Sequence, residues 1–352
     1  MVRGPATLVQ TCVTLAPPEK HTELAAVMTV STLQFLGGLV LLLIGGRLLV
    51  SASVDAATRL RVSPLVVGLT LVAWGTSAPE VALNLISAYK GRGDLALGNV
   101  VGANICNMAL VLGLCALIKP LAVQERLIKV EIWLNAVLLV AMATLGLILG
   151  FTWWKAAIML GLFCVYSLWA IIAAMLASAS APTPAAADTL GPDPTDTPKL
   201  LTWPIISLFF AVGLGMLSFG GLFASDGASG IALALGVPAA IVGVTIVSIG
   251  TTLPEMVTGV MAVRKGQTDL AIGIVVGSCL FNAGFIFGVT GLIAPPVADS
   301  SFTIPLAYMG LLAFALVPIS RSFNKTVSRL ESGLLLASYV GFLVLSALRV
   351  GG

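Results

Sequence analysis

The sequence predicts a polytopic membrane protein built only of α-helices, ten transmembrane helices in two inverted-topology five-helix repeats. Three observations lead there: charge is scarce, apolar runs of spanning length recur, and one pair of runs occurs twice. Of 352 residues, 58% are hydrophobic and 9% charged. A soluble domain carries about 25% charged residues, so this chain has too few to cover a water-facing surface. Apolar runs of about 20 residues cross a hydrocarbon core as helices. A β-barrel is disfavoured, because barrel strands alternate apolar and polar over about ten residues, and these runs do not.

The ten runs cover roughly 32–50, 64–88, 95–118, 130–150, 155–177, 201–223, 231–262, 270–294, 302–319 and 332–348. Residues 1–30 read as an N-terminal extension; its apolar patch at 7–16 is too short to span and a poor match to a signal peptide. The first run holds Gly37, Gly38, Gly45 and Gly46, and the sixth holds Gly213, Gly215, Gly220 and Gly221. Such small residues let helices in lipid approach closely. Residues 178–200, with five prolines, read as a flexible linker between a first repeat at 31–177 and a second at 201–352.

Lys and Arg orient a membrane protein through the side on which they gather. With the N-terminus outside, 12 of the 18 fall on the cytoplasmic side and 6 outside, Lys90 and Arg92 among the latter. The bias predicts a multi-pass cell-membrane protein with both termini outside and the central linker cytoplasmic. The bilayer is then its large partner. The net charge of +3 gives no reason to expect nucleic acid, and a monomer suffices for the reading that follows. Five cysteines without metal-type spacing read as small hydrophobes, and the single histidine, His21, excludes a histidine relay.

Laid on 239–295 without a gap, residues 64–120 give 22 identities in 57 positions. Fewer than about ten are expected by chance in so apolar a composition, so the chain carries an internal duplication. The matched pairs include Gly75/Gly250, Thr76/Thr251, Pro79/Pro254, Glu80/Glu255 and Asn107/Asn282. Five spans separate the copies. Five is odd, so the copies enter the membrane from opposite sides, as in many secondary transporters.

Chemistry concentrates in the duplicated motifs. A charge at bilayer depth costs roughly 2.5 kcal/mol or more, so Glu80 and Glu255 are functional candidates by default. Pro79 and Pro254 lack a backbone N–H and should kink their helices, freeing carbonyl oxygens. Helical spacing puts Ala73, Thr76, Ser77 and Glu80 on one stripe, and Ser248, Thr251, Thr252 and Glu255 on the other. The following spans add Asn107, Ser278 and Asn282. All these donors are hard oxygens, which suit Ca2+, Mg2+ or Na+ rather than a soft metal. Two glutamates balance a divalent charge, and a competing ion or proton must then displace it. No cofactor motif is present, and the residues of an intramembrane hydrolase are absent. Trp74 fits packing as well as gating.

The motifs Gly-Thr-Ser-Ala-Pro-Glu at 75–80 and Gly-Asn-Val-Val-Gly-Ala-Asn-Ile-Cys-Asn at 98–107, with their second copies, resemble the sodium/calcium exchanger family in its compact prokaryotic form. The resemblance covers about 32–348. It implies a secondary antiporter, not an enzyme, with Ca2+ and Na+ as transported ions. It further implies Glu80 and Glu255 as main Ca2+ ligands, aided by backbone oxygens of Thr76 and Thr251. Ser77, Thr252 and Ser278, with carbonyls near Ala73 and Ser248, match positions linked to Na+; Asn107 and Asn282 match central polar positions. The first and sixth spans match a sliding gate. Two departures stand out: Ala103 where the first copy often has serine, and Asn282 where relatives can have Asp. Proton-coupled or other cation/Ca2+ exchange is the alternative, and a channel a remoter one.

Overall fold

A computed structural model describes residues 20–179, 200–237, 248–296, 298, 300–322 and 325–350. The predicted linker falls almost wholly outside them, as does most of the N-terminal extension. The described chain is helical nearly throughout. In order, the helices are α1 Lys20–Leu60, α2 Pro64–Thr76, α3 Ala78–Tyr89, α4 Gly93–Ile118, α5 Glu125–Leu149 and α6 Trp153–Ala179. The second half supplies α7 Trp203–Ala234, α8 Ser248–Thr251, α9 Leu253–Arg264, α10 Thr268–Ile293, α11 Thr303–Ile319 and α12 Arg329–Val350.

Among the described residues, seven helices are long and apolar enough to span, or eight if the bent pair α2–α3 counts as one. The sequence predicts ten. Thr303–Ile319 is apolar but shorter, with 17 residues. The run expected at 231–262 is divided: its first residues belong to α7, which extends to Ala234 before the chain turns at 235–236. Hydropathy hides this division, because the turn is flanked by apolar residues on both sides. Residues 238–247 lie outside the described set.

The duplication is visible in three dimensions. The helices α3 and α9, and α4 and α10, begin and end 175 positions apart. Gly91 and Gly266, at φ +70° and +77°, turn the chain after α3 and α9 in the left-handed conformation that glycine adopts without a Cβ penalty. Within α4 and α10 the backbone widens into a π-helical turn at Cys106–Val111 and Phe281–Ile286. Such turns gather at functional sites, and here each begins one residue before the duplicated asparagine.

Burial separates the helices by role. Of their most apolar stretches, 94% of α10 and 72% of α4 is buried, against 17% of α1 and 28% of α7. The outer helices present Leu33, Val165 and Phe219 outward. In water such a surface would be untenable; in lipid it costs nothing. α10 packs against α2, α4, α6 and α9, and α1 lies along α7. That outer pair meets backbone to backbone: a Cβ on Gly45 would stand 2.8 Å from Gly213 O, and one on Gly220 2.9 Å from Leu42 N. A two-residue ladder, β1 Leu121–Ala122 against β2 Thr326–Val327, ties the end of α4 to the start of α12.

Glu131, at the start of α5, is fully buried and lies 3.6 Å from the Arg126 guanidinium. Asp94 and Asp269 occupy the first turns of α4 and α10, where a negative charge is favoured. Trp74 is a packing residue, its ring 5.9 Å from Phe281 and 6.0 Å from Phe163.

Candidate ion site

The site forms where the two broken helices face each other. The sequence predicts a kink at each proline; the structure has a full break two residues earlier. Ser77 ends α2 at φ −82°, ψ 12°, and Thr252 ends α8 at φ −90°, ψ 3°. The axes of α2 and α3 differ by 47°. Pro79 and Pro254 then fall in the first turn of the following helices, where a missing N–H loses no bond. The break is therefore the arrangement in which proline costs least, and it exposes the carbonyls of the preceding turn.

Those carbonyls are partly occupied. Thr76 Oγ1 donates to Val72 O at 3.0 Å, with Ala73 O at 3.3 Å, and Thr252 Oγ1 donates to Ile249 O at 3.0 Å. Ser278 Oγ lies 3.5 Å from Ala73 O.

Glu80 and Glu255 are buried to within 1% and are near enough for their charges to interact. Glu255 Oε1 accepts from Ser77 Oγ at 2.8 Å and from Ser278 Oγ at 3.4 Å, and the two hydroxyls lie 3.3 Å apart. Glu255 Oε2 and both Glu80 oxygens have no hydrogen-bond partner. Thr76 lies beside Glu255, and Thr251 beside Glu80 without satisfying it. Each carboxylate thus meets threonine from the opposite repeat, a crossing that the stripe along one helix does not foretell.

Asn107 and Asn282 are buried, and neither amide has a partner on its nitrogen or oxygen. A buried polar atom left unpaired costs about 1–3 kcal/mol, more if charged. Seven such atoms on four side chains (Glu80, Glu255, Asn107 and Asn282) mark a place for something other than protein. Among the described residues no three His, Cys, Asp or Glu converge. The formal charge is therefore two carboxylates amid neutral oxygens, which fits a hard divalent cation or smaller monovalent ones.

Ala73, Thr76, Ser77 and Ser278 are buried at this centre, and Thr252 is buried with them. Ser248 begins α8, but its side chain lies outside the described residues. Sequence reasoning missed Cys106: the thiol sits 2.8 Å from Thr252 Oγ1 and beside the Tyr339 hydroxyl of α12. A usable signal existed, since Cys106 falls one helical turn after Ala103, on the side where the second copy has Ser278. Asn84 and Asn104 were also missed; both are buried, with amide oxygens unpartnered.

A helical membrane protein with two duplicated broken helices and paired buried glutamates at their meeting point has the make-up of a secondary ion transporter. Comparison with known proteins makes this specific. Residues 30–172 and 205–348 match the sodium/calcium exchanger protein family, and the chain belongs to that family. It is 33% identical over 322 residues to a candidate antiporter of Alkalimonas amylolytica, CaxA, covering 90% of this chain and 98% of that one. It is 28% identical over 351 residues to the sodium/calcium exchanger MaX1 of Methanosarcina acetivorans, covering 90% and 98%. Its fold matches the solved sodium-calcium exchanger NCX_Mj with a TM-score of 0.74 and 27% identity, covering 91% and 98%. These relatives are exchangers and antiporters, not enzymes.

Proposed function

We propose that the protein is a secondary antiporter exchanging Ca2+ for Na+ by alternating access. The observation that carries this reading is the pair of buried, incompletely satisfied carboxylates, Glu80 and Glu255, supplied by opposite repeats beside broken helices. Ca2+ takes six to eight oxygens in flexible geometry. Glu80, Glu255, Thr76 and Thr251 are its ligands in this proposal, and Asn107 and Asn282 the central polar contacts. Na+ ions use Ser77, Ser278, Thr252 and carbonyls near Ala73 and Ser248. Because two carboxylates without a cation repel, Ca2+ leaves only as other positive charge arrives. The names of MaX1 and NCX_Mj, both sodium/calcium exchangers, support Na+ as that charge.

The architecture proposed for this work is two repeats, 31–177 and 201–352, inverted relative to each other and joined by a cytoplasmic linker at 178–200. α1 and α7 form the moving pair, since at Gly45, Gly213 and Gly220 their backbones meet directly, as small residues in lipid allow.

Purified protein in liposomes tests the coupling. With voltage clamped, an imposed Na+ gradient should drive Ca2+ uptake, and a pH gradient should not. Absence of any response to Na+ would remove the Na+ reading. A second reading, proton-coupled Ca2+ exchange, rests on buried Ala103, which leaves the Glu80 side one hydroxyl short. The pH-gradient arm of the same measurement tests it.

A further inference from the structure

The 175-residue repeat extends to the outer helices. Gly38, Gly45 and Gly46 of α1 match Gly213, Gly220 and Gly221 of α7, Ser51 matches Asp226, and Lys265 after α9 matches Lys90 after α3. Equivalent places should therefore look alike, and at one contact they do not. α1 lies closed on α9. A Cβ on Gly46 would stand 3.1 Å from Val257 Cγ1, and Met261 is only 9% exposed. At the end of this contact Lys265 Nζ donates to Ser51 Oγ at 2.6 Å. Arg47 and Asp55, also on α1, act electrostatically on the same ammonium.

The matching contact of α7 with α3 is open. A Cβ on Gly221 would have its nearest neighbours in Gly250 and Pro254, not in α3. Ala82 is exposed and Ile86 is 54% exposed, although they correspond to Val257 and the covered Met261. Lys90 and Asp226 are both exposed, and among the described residues neither has an ion-pair partner. The outer helices are also tied to each other. Arg59 of α1 donates through Nε to Leu201 O at 2.6 Å, just before α7 begins, and Asp55 Oδ2 accepts from Leu201 N at 3.0 Å. A shift of α1 thus carries the start of α7 with it.

We propose that Lys90 and Asp226 form an ion-pair latch in the opposite state of the transport cycle, closing α7 on α3 as the Lys265–Ser51 contact opens. This deepens the alternating-access reading and rests on it, adding the groups that hold each end state. When inverted repeats alternate, each half takes up the arrangement that the other has left. The exposed face of α3 at Ala82 and Ile86 is then the surface that α7 covers. The two latches differ in chemistry: Ser51 offers Lys265 a neutral oxygen, whereas Asp226 offers Lys90 a charge, so salt weakens the second more.

Charge reversal in liposomes is the first test. Lys90→Asp and Asp226→Lys should each lower exchange about twofold to fivefold, the range that an exposed ion pair supports. The double variant should recover most of it, and 1 M salt should shrink the single-variant defect. A double variant no better than the worse single one overturns the proposal, as do singles without effect. The second test uses a reducible bifunctional maleimide on a background without the native cysteines. Protein carrying Ser51→Cys, Lys265→Cys, Lys90→Cys and Asp226→Cys is bridged in Ca2+, in Na+ and in neither, and the linked peptides are read by mass spectrometry. Each pair should bridge under some condition, and a molecule bridged at one should not bridge at the other. Both bridges in one molecule, or a Lys90→Cys and Asp226→Cys pair that never bridges, overturns it. Bridging needs no gradient, so a failed response to Na+ removes the Na+ reading and leaves the latch standing. Simultaneous bridges remove the latch and leave Na+ coupling standing.

Discussion

Glu255 and Glu80 occupy equivalent places in the repeat, yet their surroundings differ. Glu255 has one oxygen held by Ser77 and Ser278, whereas Glu80 has neither oxygen held. Both should be indispensable for Ca2+. Removing mere supporting partners of a metal ligand costs about 10–100-fold, so Glu80→Gln or Glu255→Gln should each lower Ca2+ flux by about a hundredfold or more. Membrane insertion, checked by detergent extraction and gel filtration, should be retained; near-normal flux in both variants would remove the assignment. The hydroxyls should be unequal. A hydrogen bond to a charged group is worth about 1.5–3 kcal/mol. Ser77→Ala should therefore raise the Na+ concentration for half-maximal flux about tenfold, and Thr252→Val by about twofold or less, since Thr252 bonds to a carbonyl and a thiol rather than a carboxylate.

At the scale of the element, the break after Ser77 and Thr252 converts proline from a defect into a helix-start residue. The same local sequence recurs and takes nearly the same backbone angles in both copies. The pair α1–α7 tests a different property. Near Gly45, Gly213 and Gly220 the backbone of one helix occupies the place where the other's Cβ would stand. Backbone cannot turn aside as a side chain does, and overpacking costs about 1–3 kcal/mol. Gly213→Val or Gly220→Val should lower flux severalfold and the thermal midpoint by several degrees. Gly37→Val, which meets nothing within 4 Å, should change neither. Equal effects at all three positions would show that the close contact is immaterial.

For the whole molecule, inversion of the repeats is the claim with the widest consequences. The left-handed turns at Gly91 and Gly266 close equivalent hairpins; a side chain at either meets no neighbour, at the cost of some strain in the left-handed backbone. In an inverted pair they lie on opposite sides of the membrane. On a background without the native cysteines, Gly91→Cys should react with a membrane-impermeant maleimide from outside intact cells. Gly266→Cys should react only after permeabilisation; labelling of both from one side would contradict the inversion.

The sequence by itself determined the all-helical membrane class, because apolar content and run length are local properties that survive any folding. It also determined the duplication, and with it singled out nearly every group that the structure gathers at the candidate site, from Glu80 and Glu255 to Asn107 and Asn282. It left the span boundaries blurred: hydropathy runs on across the turn after α7, and a turn within lipid-facing sequence leaves little compositional trace. Only the tertiary structure decided which groups meet. Ser77 of the first repeat holds Glu255 of the second, and each threonine attends the other copy's carboxylate. It also brought Cys106, unremarkable in sequence, against Thr252. The reason is physical: spacing along one helix fixes a face, but a site between helices depends on packing across 175 residues of chain, which no local pattern encodes.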